Sequence, residues 1–297
     1  MRKEILLIGG SGFLGLNLIK SLKNNKNYRI TSVSRTRPKN LKKNKNFSFI
    51  KADLSNFNQM KKSLKRKKFN FIINFGGNIN HDNQKQIEKS HFKLCSNLVR
   101  FFSKKKINLF IQAGSSMEYG STKSPNYENF KCKPKSYYGI SKLKSTQLLK
   151  KSGLNYIVLR LYQIYGPHQK INRLIPIAIN QLLNNKDFNV SSGIQSRDFL
   201  YVDDFIKLIK KILISKKPLR GIFNVGSGKP FTVKQILEKI KKLIKLGKIN
   251  YNVVKMKKSE TKKSYPNVKK IKKIFNWKSN TNLDAGLKKT IKFYEKK

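Results

Sequence analysis

Tyr138-Gly139-Ile140-Ser141-Lys142 sets a phenol and an ammonium four residues apart. On a helix those two positions share one face, one turn apart. A cation beside a phenol favours the tyrosinate. Such a Tyr can exchange a proton with a hydroxyl or carbonyl while a nicotinamide exchanges hydride with the same carbon. Upstream, Gly114-Ser115-Ser116-Met117-Glu118-Tyr119-Gly120 closes an apolar run that ends near Ala113. A hydroxyl at the carboxyl edge of a parallel strand faces the ligand crevice, so Ser115 can hydrogen-bond the reacting oxygen. Ser115, Tyr138 and Lys142 are the candidate catalytic set.

A second chemical signal stands at the start of the chain. Gly9-Gly10-Ser11-Gly12-Phe13-Leu14-Gly15 follows a short apolar run and opens a helical pattern. Glycines there let the backbone turn tightly and approach a pyrophosphate at the helix N-terminus. Gly9, Gly12, Phe13, Leu14 and Gly15 are the expected cofactor contacts. About 20 residues further on, such loops usually have an acid for the ribose hydroxyls. Here the segment reads Ser34-Arg35-Thr36-Arg37. A guanidinium suits a 2′-phosphate, which favours NADP(H) and leaves NAD as the alternative. Asp53 and Leu54 are placed to meet the adenine, and Phe75-Gly76 to let the cofactor backbone pass close.

The elements that must hold these groups alternate. Glu4–Gly9, Tyr28–Ser34, Phe47–Lys51, Phe71–Phe75, Ile107–Ala113 and Tyr156–Leu161 read as strands. Phe13–Leu22, Gln86–Phe102 and Tyr137–Lys150 read as helices. That rhythm predicts an α/β fold: a doubly wound parallel-sheet Rossmann domain over 1–165, with a smaller C-terminal substrate-binding domain over 166–297. Some later segments are expected to return to the first domain. The 297 residues can bury a core without staples. Two Cys and three scattered His argue against disulfides and metal sites. No signal peptide or spanning run is read, so a cytoplasmic protein is expected. The formal charge of +53 is the anomaly. Lys, Asn and Ile share AT-rich codons, so base composition accounts for much of it. The scarcity of acids is unexplained and leaves room for peripheral attraction to an anionic membrane surface. No RRM-type stacking motif is present, and no specific nucleic-acid partner is expected. A non-catalytic RNA-binding or scaffold role is the remote alternative.

Taken together, the motifs resemble the extended short-chain dehydrogenase/reductase family, the NAD-dependent epimerase/dehydratase group acting on nucleotide sugars. The pieces are Gly9, Gly12 and Gly15; Asp53-Leu54; Ser115 with Tyr119-Gly120; Tyr138 with Lys142; Leu159-Arg160; and Tyr165-Gly166-Pro167. Arg197 to Asp204, Asn224 to Gly228 and Trp277 complete them. The resemblance implies a nucleotide-sugar substrate and a homodimer formed through two helices of the first domain. Where family dehydratases have an Asp-Glu pair after the strand-end hydroxyl, this chain has Ser116-Met117, which disfavours elimination of water. The stretch from Ser191 to Phe199 resembles 4-ketoreductases of deoxysugars. Reduction of a 4-keto sugar nucleotide is therefore the first reading and 4-epimerisation with bound NAD the alternative. Ser116, Gln163, Arg173 and Arg197 are the expected substrate contacts, the two arginines for pyrophosphate.

Overall fold

The structure is a computed structural model that describes residues 2–38, 41, 45–78, 83–215, 219–256 and 260–296. In chain order its strands and helices begin with β1 (Lys3–Ile8), α1 (Phe13–Leu22), β2 (Tyr28–Ser34), β3 (Phe47–Lys51), α2 (Phe57–Leu64), β4 (Phe71–Asn74) and α3 (Gln84–Glu88). Then come α4 (Leu94–Phe102), β5 (Leu109–Ser115), α5 (Tyr137–Lys151), β6 (Tyr156–Leu161), β7 (Gln163–Tyr165), α6 (Leu174–Leu183), β8 (Asp187–Asn189) and β9 (Ser196–Tyr201). The chain closes with α7 (Val202–Ile214), β10 (Gly221–Val225), β11 (Pro230–Thr232), α8 (Val233–Ile244), β12 (Lys248–Asn250), β13 (Lys263–Ser264), α9 (Lys269–Phe275) and α10 (Leu283–Glu295).

Two compact units result. The first holds residues 1–122, 128–161 and 209–223; the second holds 123–127, 162–208 and 224–297. A seven-stranded sheet has the order β10-β6-β5-β4-β1-β2-β3, with β6 through β3 mutually parallel. Strand order reverses between β1 and β4, the doubly wound pattern. Ile5, Leu6, Leu7, Ile72, Ile73 and Ile111 are fully buried, as strands covered on both faces must be. Their unbroken apolar runs are why the strands were visible in the sequence.

Helix ends follow local chemistry. Asn56 caps α2 by accepting from the amides of Asn58 and Gln59, and Ser136 caps α5 through Gly139 N–H. The expected single helix over Gln86–Phe102 is instead α3, a π-helical turn at Lys89–Lys93, and α4. The expected strand over Ile107–Ala113 is shifted two residues, so Ser115 closes β5 itself.

In the second unit, β11, β9 and β13 form a small sheet with β7 added beside β9, and β8 pairs with β12. Helices α6, α8 and α10 contribute the buried side chains Ile179, Ile236 and Leu287. Among the described residues no helix is long and apolar enough to cross a membrane.

Candidate active site

Every candidate cofactor residue of the first unit lies at or beside the carboxyl edge of the parallel strands. Gly9 follows β1, Arg35 follows β2, Asp53 follows β3 and Gly76 follows β4. The loop after β1 is closed by Gly12 N–H donating to Gly9 C=O at 3.0 Å. Gly9 has φ +81°, and a Cβ on it would meet the Phe75 and Gly76 backbone at 2.8 Å. A Cβ on Gly15 would stand 2.3 Å from Gly9 O. Only glycine fits either place. Helix α1 begins after Gly12, with no side chain capping its first amides. A cradle stripped of side chains at an uncapped helix N-terminus fits a dinucleotide pyrophosphate.

The segment after β2 is tied to that loop. Ser34 Oγ donates to Thr36 C=O at 2.8 Å, and the Thr36 hydroxyl reaches Ser11 Oγ at 3.5 Å. Arg35, exposed between them, directly follows β2. Asp53 feels its charge. Burial works to raise the Asp53 pKa, but Ser55 hydrogen bonds, Lys89 and Arg35 together hold it below the ordinary value. The Ser55 hydroxyl donates to Asp53 Oδ1 at 2.6 Å.

Helix α5 carries Tyr138 and Lys142 and holds the lysine against the end of β5, which Ser115 closes. Lys142 is 4 % exposed, and its Nζ donates to Ala113 C=O at 2.7 Å. The same ammonium lies 5.7 Å from the centroid of the Tyr138 ring. The start of α5 presses on the turn after Ser115: a Cβ on Gly139 would meet Met117 O at 2.5 Å. Ser115 Oγ accepts from Met117 N–H at 3.2 Å, which leaves its own O–H to donate. Ser116 is half-buried beside it.

Two supports were not legible in the sequence. One is a buried amide relay. Gly76 N–H donates to Asn74 Oδ1, Asn74 Nδ2 to Gln112 Oε1, and Gln112 Nε2 to Ala113 C=O, the carbonyl that also holds Lys142. It connects the loop after β4 to the lysine. The other is Glu118. Its sequence position only suggested that it pointed away from the hydroxyl. Its fully buried carboxylate accepts from Ser115 N–H (2.9 Å), Thr146 Oγ1 (2.9 Å) and Arg160 Nε (3.0 Å). Burial works against the Arg160 charge, yet Glu118 foremost, with Tyr119 and Cys132, holds its pKa above the ordinary value.

In the second unit a cavity of about 400 Å³ is lined by Gln163, Gln195, Arg197 and Glu260 among others. Arg197 is not free there: Nη2 is paired with Glu260, and Nη1 donates to Ser196 C=O at 2.8 Å. Glu260 lies 63 residues away and gave no signal in the sequence. Arg173 sits exposed at the N-cap of α6, and it is Leu174 that lines the cavity. The motif carboxylates are structural. Asp198 accepts from Ser227 and Gly228 amides at 2.6 Å, and Asp204 from Thr281 N–H at 2.7 Å.

A glycine cradle and a Ser–Tyr–Lys group on one doubly wound sheet define a nucleotide-dependent oxidoreductase of the short-chain dehydrogenase type. The profile of the NAD dependent epimerase/dehydratase family matches residues 5–226, and the chain belongs to that family of enzymes. UDP-glucuronate 4-epimerase of Thermodesulfobacterium geofontis is 28% identical over 302 residues, covering 97% of this chain and 90% of the relative. CDP-abequose synthase of Salmonella muenchen is 33% identical over 144 residues, 47% of this chain and 48% of the relative. The fold is similar to that of UDP-glucuronic acid 4-epimerase from Bacillus cereus, solved with UDP-glucuronic acid and NAD. The TM-score is 0.90, with 21% identity and 99% of each chain covered.

Proposed function

We propose that this chain transfers hydride at C4 of a nucleotide-linked sugar, reducing a 4-ketone with NADPH, and that Tyr138 supplies the proton. The observation that carries the direction of the reaction is Arg35, exposed in a segment bonded to the glycine loop where an acid would otherwise meet the ribose. Gly9, Gly12, Phe13, Leu14, Gly15, Asp53, Leu54, Phe75 and Gly76 are assigned to the cofactor, with Tyr138 and Lys142 at its reactive end. Bound NADPH would supply the hydride. Tyr138 Oη gives its proton to the carbonyl oxygen as it becomes a hydroxyl. Lys142, with one N–H spent on Ala113 C=O, keeps two to favour the tyrosinate that forms and to hold the cofactor ribose. Ser115 O–H donates to the reacting oxygen and fixes its position. Ser116, Gln163, Arg173 and Arg197 are assigned to the sugar nucleotide. For Arg197 this requires that the diphosphate displace or share it with Glu260.

A second reading, 4-epimerisation with retained NAD, is supported by the UDP-glucuronate 4-epimerase that matches along almost the whole chain. The two differ in cofactor accounting. A reductase consumes one NADPH per turnover; an epimerase returns its cofactor unchanged. Protein purified without added nucleotide is denatured and the released cofactor is measured. The intact enzyme is then offered 4-keto-6-deoxy nucleotide sugars with NADPH, and UDP-hexoses and UDP-hexuronic acids alone. Stoichiometric NADPH oxidation supports reduction. Co-purified NAD with interconversion of a UDP-sugar pair supports epimerisation. A homodimer and attraction of the cationic surface to anionic lipid belong to the same proposal, with the first unit holding the cofactor and the second the sugar nucleotide.

A further inference from the structure

We propose that His91 is a positioning residue that fixes the Tyr138 phenol and the loop after β4 in one arrangement; the inference rests on Tyr138 being the proton donor. His91 lies in the π-helical turn Lys89–Lys93, where the helical repeat widens between α3 and α4. Such turns rotate one side chain out of the surrounding α-helical register and concentrate at functional sites. The His91 side chain is enclosed, with the residue 4 % exposed. Its ring and the Tyr138 ring meet in a T-shaped pair, centroids 5.0 Å apart at 82°. This is the geometry in which a positive ring edge meets a negative ring face.

Three further contacts fix that ring and its backbone. His91 Nε2 is 2.9 Å from Asn78 C=O; a carbonyl only accepts, so Nε2 carries the hydrogen. The other side of the imidazole closes over Gly77, where a Cβ would be 2.0 Å from His91 Cε1. The Ser145 hydroxyl, one turn beyond Lys142 on α5, lies 3.4 Å from His91 C=O. His91 thus touches the loop after β4 through its ring nitrogen, α5 through its carbonyl and the phenol through its ring. Tyr138 needs such a stop. It sits in the first turn of α5, half-buried, and its Oη must meet a substrate oxygen within hydrogen-bond reach. A displacement of about 1 Å at that point costs about 10²-fold in rate.

The test compares His91→Leu, His91→Gln and His91→Phe with the wild type and with Tyr138→Phe. His91→Leu fills the space without a ring edge or a donor. It should lower kcat about 10²-fold while KM for the sugar nucleotide moves by less than about threefold. His91→Gln keeps a donor for Asn78 C=O but no ring, and should show a comparable loss of kcat if it proves the better-folded variant. His91→Phe restores an aromatic ring against Tyr138 and should recover kcat to within about tenfold of wild type. A readout without cofactor accompanies these rates. In protein labelled with ¹³C at the tyrosine rings, the signal that Tyr138→Phe deletes should shift in His91→Leu and His91→Gln and return toward its wild-type position in His91→Phe. Folded His91→Leu or His91→Gln protein with wild-type kcat, or an unmoved Tyr138 signal, would overturn the proposal. A Tyr138→Phe enzyme with full turnover would instead defeat the proton-donor reading, while the NMR comparison still reports whether His91 orders the ring.

Discussion

Glu118→Ala removes the carboxylate that holds the end of β5. In the folded protein that carboxylate has no exposure and three donors: Ser115 N–H, the Thr146 hydroxyl and Arg160 Nε. Arg160 itself is 2 % exposed, so the substitution leaves a guanidinium in the interior without its charge partner. Breaking such a buried pair from one side costs about 3–5 kcal/mol. For a chain of this size each kcal/mol corresponds to about 2–4 °C, so the melting temperature should fall by about 6–20 °C. Replacing both partners with apolar residues of similar volume, Glu118→Leu with Arg160→Met, should recover part of the loss because no charge remains stranded. Thermal and urea unfolding followed by circular dichroism measure both variants, with the two single substitutions completing the cycle. A Glu118→Ala shift under about 2 °C, or strictly additive effects of the two singles, would show that the pair does not carry the stability argued here. The same variant frees Ser115 N–H and should lower turnover beyond what unfolding explains.

The thiols separate by burial. Enclosure pushes Cys95 up to about 12, while Cys132 is raised but half-buried. An aromatic disulfide reagent at pH 8 should label Cys132 alone in the native protein and both after denaturation; rapid native labelling of Cys95 would contradict the packing. Burial pushes Asp198 up to about 6 against the amides of Ser227, Gly228 and Lys229. The folded state therefore holds the Asp198 proton more tightly than the unfolded one, and stability falls as pH rises from about 4 to about 6, by about 3 kcal/mol. Asp198→Asn should lose that slope in urea titrations run across this range; parallel curves would refute it. Arg35→Asp should weaken NADPH binding more than NADH binding by calorimetry, since the guanidinium has nothing comparable to gain from a free ribose hydroxyl. Equal losses, or a wild type that prefers NADH, would remove the case for NADPH.

Much of the first unit could be read from the chain because its signals are local. The bounds of α1, β2, β3 and β6 agree with the sequence reading residue for residue, each being an apolar run or stripe preceded by Gly or Asn. Helix α2 was not legible: its inward face is short, the buried Met60 and Leu64 with a partly buried Phe57, and its start depends on the Asn56 cap. Nor was the break at Lys89–Lys93, because an apolar stripe continues smoothly through a π turn whose extra residue only the tertiary contacts of His91 reveal. The meeting of Tyr138 with Lys142 followed from helix-turn spacing, and the place of Ser115 near a strand end from the apolar run before it. The residues that hold them did not. Asn74, Gln112 and Glu118 are polar groups within or beside apolar strands, and the side chains they bond, Asn74 with Gln112 and Glu118 with Thr146 and Arg160, lie 28 to 42 residues apart. The pairing of Arg197 with Glu260 has the same origin, since a lone acid in a lysine-rich segment says nothing of the arginine it meets across the fold.

The central claim is that Tyr138 passes the proton that accompanies hydride transfer on a sugar carbon. It is tested most directly by Tyr138→Phe, which deletes one oxygen and leaves the ring packed against His91. Single-turnover reactions of wild type and variant, both saturated with cofactor and with the sugar nucleotide that the wild type turns over, isolate the chemical step. Loss of a positioned acid should slow that step by about 10²–10⁴-fold while the cofactor dissociation constant stays within about threefold. A variant that reacts within tenfold of wild type would contradict the account.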